Sequence, residues 1–379
     1  MGKTLFISIN SLYDENGSLN TEIEDIIIST LSISYEVIIY YYNRDLRDIP
    51  SSLQSYCLEV SKTSVRNGSL ILTLCVNGKS AKDFIILGSS ESDFLLAKHS
   101  NVLLLSSFWS NLDEKTKKYG LRIKSPNILK YFLTTISMIT QPWYYKVEID
   151  DNTTLYSLMS SNTKYSKDEQ FIKICNAFNS ILKNGSKDFL QLLKYYFIHT
   201  LSLIENIRNI NIWTYYPSSN SSDSEILESF SELSRFAFSQ VRKKHPVFIR
   251  FRPTTKRHHL TASYRKSIGC DSQFNSIYLN STLKDNLRNA NVCVIDDYTT
   301  YGSSCETTRH LLNNAGINKL IFITFGKFGF DTSYTKTNYT LTGDIFSRDY
   351  TFQRGPDTII NGSTVSNGSE IKKALKVML

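Results

Sequence analysis

Proline and glycine are scarce, at 7 and 16 of 379 residues, and cysteine is equally thin at six. A collagen-like, low-complexity or disulfide-framework chain is thereby excluded. The cysteines at 57, 75, 175, 270, 293 and 305 show no CxxC or Cys/His metal spacing, so reduced thiols are expected. Long apolar runs are also missing. Leu70–Val76 and Val102–Leu105 are strand-length, far below the ~20 residues a bilayer requires. The first fifteen residues hold one Lys and a short apolar run. They read as a buried strand rather than a signal peptide, so a cytoplasmic protein with no membrane partner is expected. Asn-x-Ser/Thr triplets are what a Ser- and Asn-rich chain produces by chance. What remains is an ordinary globular composition, 41% hydrophobic and 21% charged. The length suggests two or three domains, at roughly 150 residues each.

Charge of one sign is absent from one stretch. The chain as a whole carries 43 Lys and Arg against 35 Asp and Glu, a net +8. Between 241 and 266 there is no acid at all, while Arg242, Lys243, Lys244, Arg250, Arg252, Lys256, Arg257, Arg265 and Lys266 crowd together. Such a segment suits a phosphate-rich ligand or a solvated face.

Apolar runs at Leu5–Ile9, Glu36–Tyr42, Leu70–Val76, Phe84–Leu87 and Val102–Leu105 predict strands separated by helix-compatible stretches. That alternation predicts a parallel α/β unit ending near Tyr145. Residues 146–208 read as largely helical, with i, i+3, i+4 spacing over Glu169–Leu182 and Lys187–Ile207. Strands resume at Asn211–Tyr216, Val247–Phe251, Asn275–Leu279, Ala290–Ile295 and Leu320–Phe325, with helices over Ser224–Lys243 and Ser304–Asn314. The Thr-, Tyr-, Ser- and Asn-rich last stretch predicts hairpins and a short terminal helix over Ser369–Met378.

One segment carries chemistry. Val292-Cys293-Val294-Ile295 leads into Asp296-Asp297, then Tyr298-Thr299-Thr300-Tyr301-Gly302-Ser303-Ser304 and a helix. A helix N-terminus with hydroxyls and a glycine cradles phosphate. Two carboxylates ahead of it repel phosphate but can bind sugar hydroxyls and help hold a hydrated Mg²⁺. Together they describe a sugar-phosphate site at a strand's carboxyl end.

These residues resemble the type I phosphoribosyltransferase family, whose fingerprint is an apolar strand, two acids, two variable residues and Thr-Thr-Gly-x-Thr. The resemblance implies that Asp296 and Asp297 contact the ribose hydroxyls of phosphoribosyl pyrophosphate (PRPP). Thr300, Tyr301, Gly302, Ser303 and Ser304 would wrap its 5′-phosphate, and Mg²⁺ would come with PRPP rather than on direct protein ligands. Tyr301 departs from the usual small residue, and Ser304 from Thr. Pro217-Ser218-Ser219-Asn220 falls where the family has its pyrophosphate loop, giving Ser218 and Ser219. Arg250 through Arg265 falls at its flexible closing loop, with Arg252, His258 and His259. In that role Arg250 and Arg265 are catalytic together with the acid pair, balancing the charge of departing pyrophosphate.

The first 145 residues more faintly resemble a haloacid dehalogenase-like (HAD) phosphatase domain. Ile85-Ile86-Leu87-Gly88-Ser89-Ser90-Glu91-Ser92-Asp93 looks like the late motif of that family. Asp93 matches, Ser89 stands where an acid is expected, and Lys82 corresponds to the family's lysine. At the first motif Ser8 stands for the nucleophilic Asp and Asn10 for the acid/base Asp. A shifted alignment on Asp14-Glu15-Asn16-Gly17-Ser18 keeps one Asp but loses the strand before it. Covalent phosphoryl transfer needs a carboxylate nucleophile, so a degenerate, inactive HAD-like fold is expected.

The expected organisation is α/β throughout. A HAD-like Rossmannoid domain covers 1–145 and a helical linker or hood covers 146–208. A phosphoribosyltransferase fold with a parallel sheet covers 209–330, and a C-terminal hood or extension covers 331–379. This arrangement resembles a bacterial fusion family of stress-response and phage-defence neighbourhoods, including retron-type systems. Phosphoribosyl transfer or cleavage with loss of pyrophosphate is the activity implied, with the acceptor open. Two alternatives stay open beside it. One is an inactive module sensing PRPP or a nucleotide 5′-phosphate, or a scaffold, within a protein complex. The other is a nucleic-acid-associated effector, permitted by the charge and by 21 Phe and 23 Tyr.

Overall fold

The computed structural model describes residues 3–43, 46–75, 79–136, 143–164, 166–187, 189–219, 224–239, 241–242, 245–254 and 268–365. The architecture is mixed α/β, divided into two compact units. The first comprises Met1–Thr140, Lys194–Ser202 and Phe236–Gln240. The second comprises Gln141–Leu193, Leu203–Arg235 and Val241–Leu379.

In the first unit, β1 (Thr4–Ser8), β2 (Glu36–Tyr41), β3 (Cys57–Glu59), β4 (Phe84–Gly88), β5 (Leu103–Ser107) and β6 (Leu121–Ile123) form one sheet. Its order is β3-β2-β1-β4-β5-β6, and every pair is parallel. Leu5, Phe6, Ile7, Ile86, Leu87 and Leu105 are fully buried, as expected for a parallel sheet covered on both faces. The order reverses between β1 and β4, the switch point where sheets of this kind open a crevice. Two segments from later in the chain complete the unit. Phe236 stacks on Phe94 at 5.4 Å, and Tyr195 packs against Phe132.

In the second unit, β7 (Tyr145–Asp150) and β8 (Thr153–Ser160) form a hairpin, followed by β9 (Ile212–Tyr215). A short antiparallel pair, β10 (Phe248–Arg250) with β11 (Ile277–Leu279), comes next. Then follow β12 (Asn291–Thr299), β13 (Lys319–Lys327), the long hairpin β14 (Ser333–Gly343) and β15 (Tyr350–Asn361), and β16 (Ser363–Thr364). The main sheet runs β16-β7-β8-β13-β12-β9. Strands β8, β13, β12 and β9 are mutually parallel, while β7 and β16 add antiparallel at one edge.

Three expectations change. Leu70–Val76 reads as a strand, but Ser69–Cys75 is a helix. Its Ile71 is buried while Leu72 is 45% exposed, a one-sided pattern with helical spacing. The stretch 146–208 is not largely helical. It opens with β7 and β8, and α-helices follow at Glu169–Asn184 and Leu190–Ser202. Tyr145, Val147 and Ile149 alternate inward along β7, the period-2 pattern of a strand. The strand expected to stop at Ile295 continues through both acids to Thr299. The terminal helix expected over Ser369–Met378 lies outside the described residues. Among those residues, no helix is long and apolar enough to cross a membrane.

Candidate functional site

Strand β12 lies between β9 and β13, and all three run in the same direction, so their carboxyl ends share one edge. Asp296 pairs in register with Thr324 and Thr299 with Lys327. On the other side, the Tyr216 N–H donates to the Ile295 carbonyl at 2.9 Å, so Pro217–Ser219 leaves the sheet beside the acids. The turn after β12 ends at Gly302, with φ of 76°, which caps the helix Ser303–Asn314 without a side-chain bond. A left-handed cap is where glycine costs least.

The glycine has a second cause. A Cβ at Gly302 would stand 2.3 Å from the Tyr334 ring. Tyr334 comes from β14, and its hydroxyl donates to Glu306 Oε1 at 2.8 Å. Glu306 also accepts from Arg309 at 3.1 and 2.8 Å and from the Thr337 N–H at 3.1 Å. Arg309 in turn reaches Asp150 Oδ2 at 3.1 Å. Burial pushes the Glu306 carboxyl up, but bonds from His310, Arg309 and Tyr334 outweigh it and hold it below the usual range. The hairpin β14–β15 is thus fastened to the first turn of the helix that follows the loop.

Asp296 is 7% exposed. Burial first, and the neighbouring Asp297 second, push its carboxyl up to about 7, against opposing pulls from Lys183, the Asp297 N–H and Ser304. Its Oδ1 accepts the Asp297 N–H at 2.8 Å, and Asp297 Oδ1 accepts the Tyr298 N–H at 2.6 Å. The other oxygen of Asp297 carries the Lys183 ammonium. Lys183 stands in the last turn of the helix Glu169–Asn184, where the helix carbonyls favour a cation. The ammonium also lies 5.7 Å from the Tyr298 ring centroid.

Among the described residues, no group of three or more His, Cys, Asp or Glu is placed to hold a metal ion. The acid pair offers little by itself, because both Asp297 oxygens are engaged and one is paired with the Lys183 ammonium. A divalent ion ligated by the protein does not fit these donors, since it would face the ammonium directly. A neutral sugar hydroxyl meets no such repulsion, and each carboxylate oxygen can accept more than one bond.

Ser218 and Ser219 lie half-buried in the turn after β9. The Ser219 carbonyl accepts from the Thr254 N–H at 2.9 Å. Arg250 does not sit in a closing loop. It belongs to β10, is 8% exposed, and donates to Ser276 Oγ at 2.7 Å, Gln273 Oε1 at 3.0 Å and the Pro217 carbonyl at 3.3 Å. Its backbone is paired with β11, which fixes it behind the Pro217–Ser219 turn. All of these partners are neutral, and Nε has none. Arg252 is exposed, bonded to the Asn275 carbonyl. His258, His259 and Arg265 lie outside the described residues.

In the first unit, Ser8 and Ser89 are buried at the carboxyl ends of β1 and β4, and Asn10 follows β1. Asp93 is fully buried, but its oxygens are taken. Oδ2 accepts the N–H groups of Ser89 and Ser90, each at 2.8 Å, and Oδ1 accepts the Tyr40 hydroxyl at 2.6 Å. It is therefore the capping-box acid of the helix Glu91–Ser100 rather than an open metal ligand. Lys82 precedes β4, at the opposite end of that strand from Gly88 and Ser89, and is not brought to them.

Sequence reading missed Lys183, Tyr334 and Gln273. Nothing local marks them, because each reaches the site from a distant element. No protein-family model matches the chain, and no curated protein matches its sequence.

Proposed function

We propose that the second unit is a type I phosphoribosyltransferase-like domain that binds PRPP where β9 and β12 end. The observation that carries this is the acid pair Asp296–Asp297 on a parallel strand flanked on both sides, followed by the Gly302-capped helix. The carboxylates take the ribose hydroxyls, and the loop Thr300–Ser304 takes the 5′-phosphate on backbone N–H groups and hydroxyls. Ser218 and Ser219 on the adjacent turn meet the pyrophosphate. The Arg250 charge behind that turn, with only neutral partners among the described residues, favours a negative group in front of it. An acceptor nucleophile then forms a bond to the anomeric carbon as the bond to pyrophosphate breaks. Positioning and electrostatics do the work, with no protein nucleophile.

The first unit, on this reading, is a HAD-like fold without phosphatase chemistry. Ser8 and Asn10 stand where the acids would act, and Asp93 is spent on capping. A second reading is an inactive module that senses PRPP or a nucleotide 5′-phosphate inside a larger complex. The bulk of Tyr301 in the loop favours it.

Calorimetric titration with PRPP and Mg²⁺, beside an Asp296→Asn/Asp297→Asn double variant, tests the site. Binding that only the double variant loses supports it, and an acceptor screen then separates enzyme from sensor. A folded wild-type protein that binds no PRPP sinks the enzyme reading, and the same titration with a nucleoside 5′-monophosphate then decides the sensor.

A further inference from the structure

We propose that Lys183 is the resident cation of this site: its ammonium, in place of a protein-bound divalent metal, balances the acid pair and faces the charged groups of a phosphorylated pentose. The inference rests on the sugar-phosphate reading of Asp296 and Asp297. Lys183 reaches Asp297 from the end of the helix Glu169–Asn184, which belongs to the same unit but lies 114 residues away in sequence.

Three features separate this contact from an ordinary surface ion pair. The acid it meets is only 22% exposed and adjoins a second, buried carboxyl, so the ammonium faces a carboxylate that water screens little. The helix end and the Tyr298 ring both hold the ammonium where it is. Lys183 itself is about half exposed, so the donors it does not spend on Asp297 face outward, toward any ligand resting on the acids. An ammonium with three donors can hold a carboxylate and a ligand oxygen together. A divalent ion at the same carboxylate oxygens would have to displace it.

The test is PRPP binding to the full chain by calorimetry, in chelator and in Mg²⁺, for wild type, Lys183→Met and Lys183→Arg. Wild type is expected to bind in chelator within about threefold of its affinity in Mg²⁺. Lys183→Met is expected to lose about tenfold or more in chelator and to regain part of it in Mg²⁺, while Lys183→Arg keeps most of the wild-type affinity. Because Lys183 is half exposed, the variants should melt within a few degrees of wild type, which circular dichroism checks. Wild-type binding that vanishes in chelator, with Lys183→Met behaving identically, overturns the inference and leaves the site reading intact. Tighter binding by Lys183→Met in chelator overturns it too, and makes the lysine a barrier. Absence of PRPP binding by wild type in either buffer defeats the underlying site reading itself.

Discussion

Asp296 is the residue where burial and charge pull in different directions. Unfolded, it titrates near 3.8; in place, burial and Asp297 push it up to about 7. Between those values the folded chain keeps a proton that the unfolded chain has released. Rising pH therefore erodes stability through that window, and above it the full cost is present. Asp296→Asn removes the cost. Urea unfolding should show a gain at pH 8 that shrinks as the pH falls towards 5, since burial penalises only the charged form. A gain independent of pH would mean that ionisation is not the cause. Gly302 makes the second residue-scale case. Gly302→Ala places a methyl 2.3 Å from Tyr334 at a φ of 76°. A loss of roughly 2–4 kcal/mol is expected in thermal or urea melts, from left-handed strain plus overpacking. Trimming Tyr334 to Leu in the same chain should return the overpacking part only.

Among elements, the hairpin β14–β15 is tied to the helix Ser303–Asn314 through one buried acid, and that tie can be cut. Glu306 is 2% exposed and serves Arg309, Tyr334 and Thr337 at once. Glu306→Gln leaves the Arg309 guanidinium buried without this charged partner. A loss of roughly 3–5 kcal/mol in urea melts is expected on the scale of broken buried ion pairs. Tyr334→Phe, which removes one hydroxyl, should cost about 1 kcal/mol. Equal costs for the two would show that packing rather than charge fastens the hairpin. At this scale the sequence is legible where period and flanks agree. The pattern around Ile295-Asp296-Asp297 and the glycine before Ser303 announces strand, turn and helix. Leu70–Val76 misleads because a seven-residue apolar run has no flank to separate strand from helix. Tyr145–Asp150 misleads because its six-residue alternation is short beside the helical spacing of the two helices that follow in the same stretch.

For the whole molecule, sequence order and spatial order differ. The first unit is completed by Lys194–Ser202 and Phe236–Gln240, which return to it from later in the chain. Phe236 stacks against Phe94 and Tyr119 at 5.4 and 5.2 Å. The Tyr195 hydroxyl donates to the Arg122 carbonyl. A fragment of residues 1–140 would lack these groups and expose the apolar surface they cover. It is expected to unfold with low cooperativity and to bind a hydrophobic dye, whereas the full chain does not; calorimetric melts and dye fluorescence read this out. A cooperative, dye-silent fragment would show that the returning segments contribute little.

Local grammar is legible in the residues alone. It set the parallel-sheet character of the apolar runs and the acid pair before a glycine-capped helix. Those features are legible because backbone preference and side-chain period act over a few residues. Which distant groups meet them follows from the packing of the elements. Lys183 comes to Asp297 across 114 residues, Tyr334 to Gly302 across 32, and Arg250 behind Pro217 across 33. The physical reason is that burial raises the cost of every unpaired charge and unfilled gap. Which residue answers that cost depends on how the elements pack, and no local spacing records it.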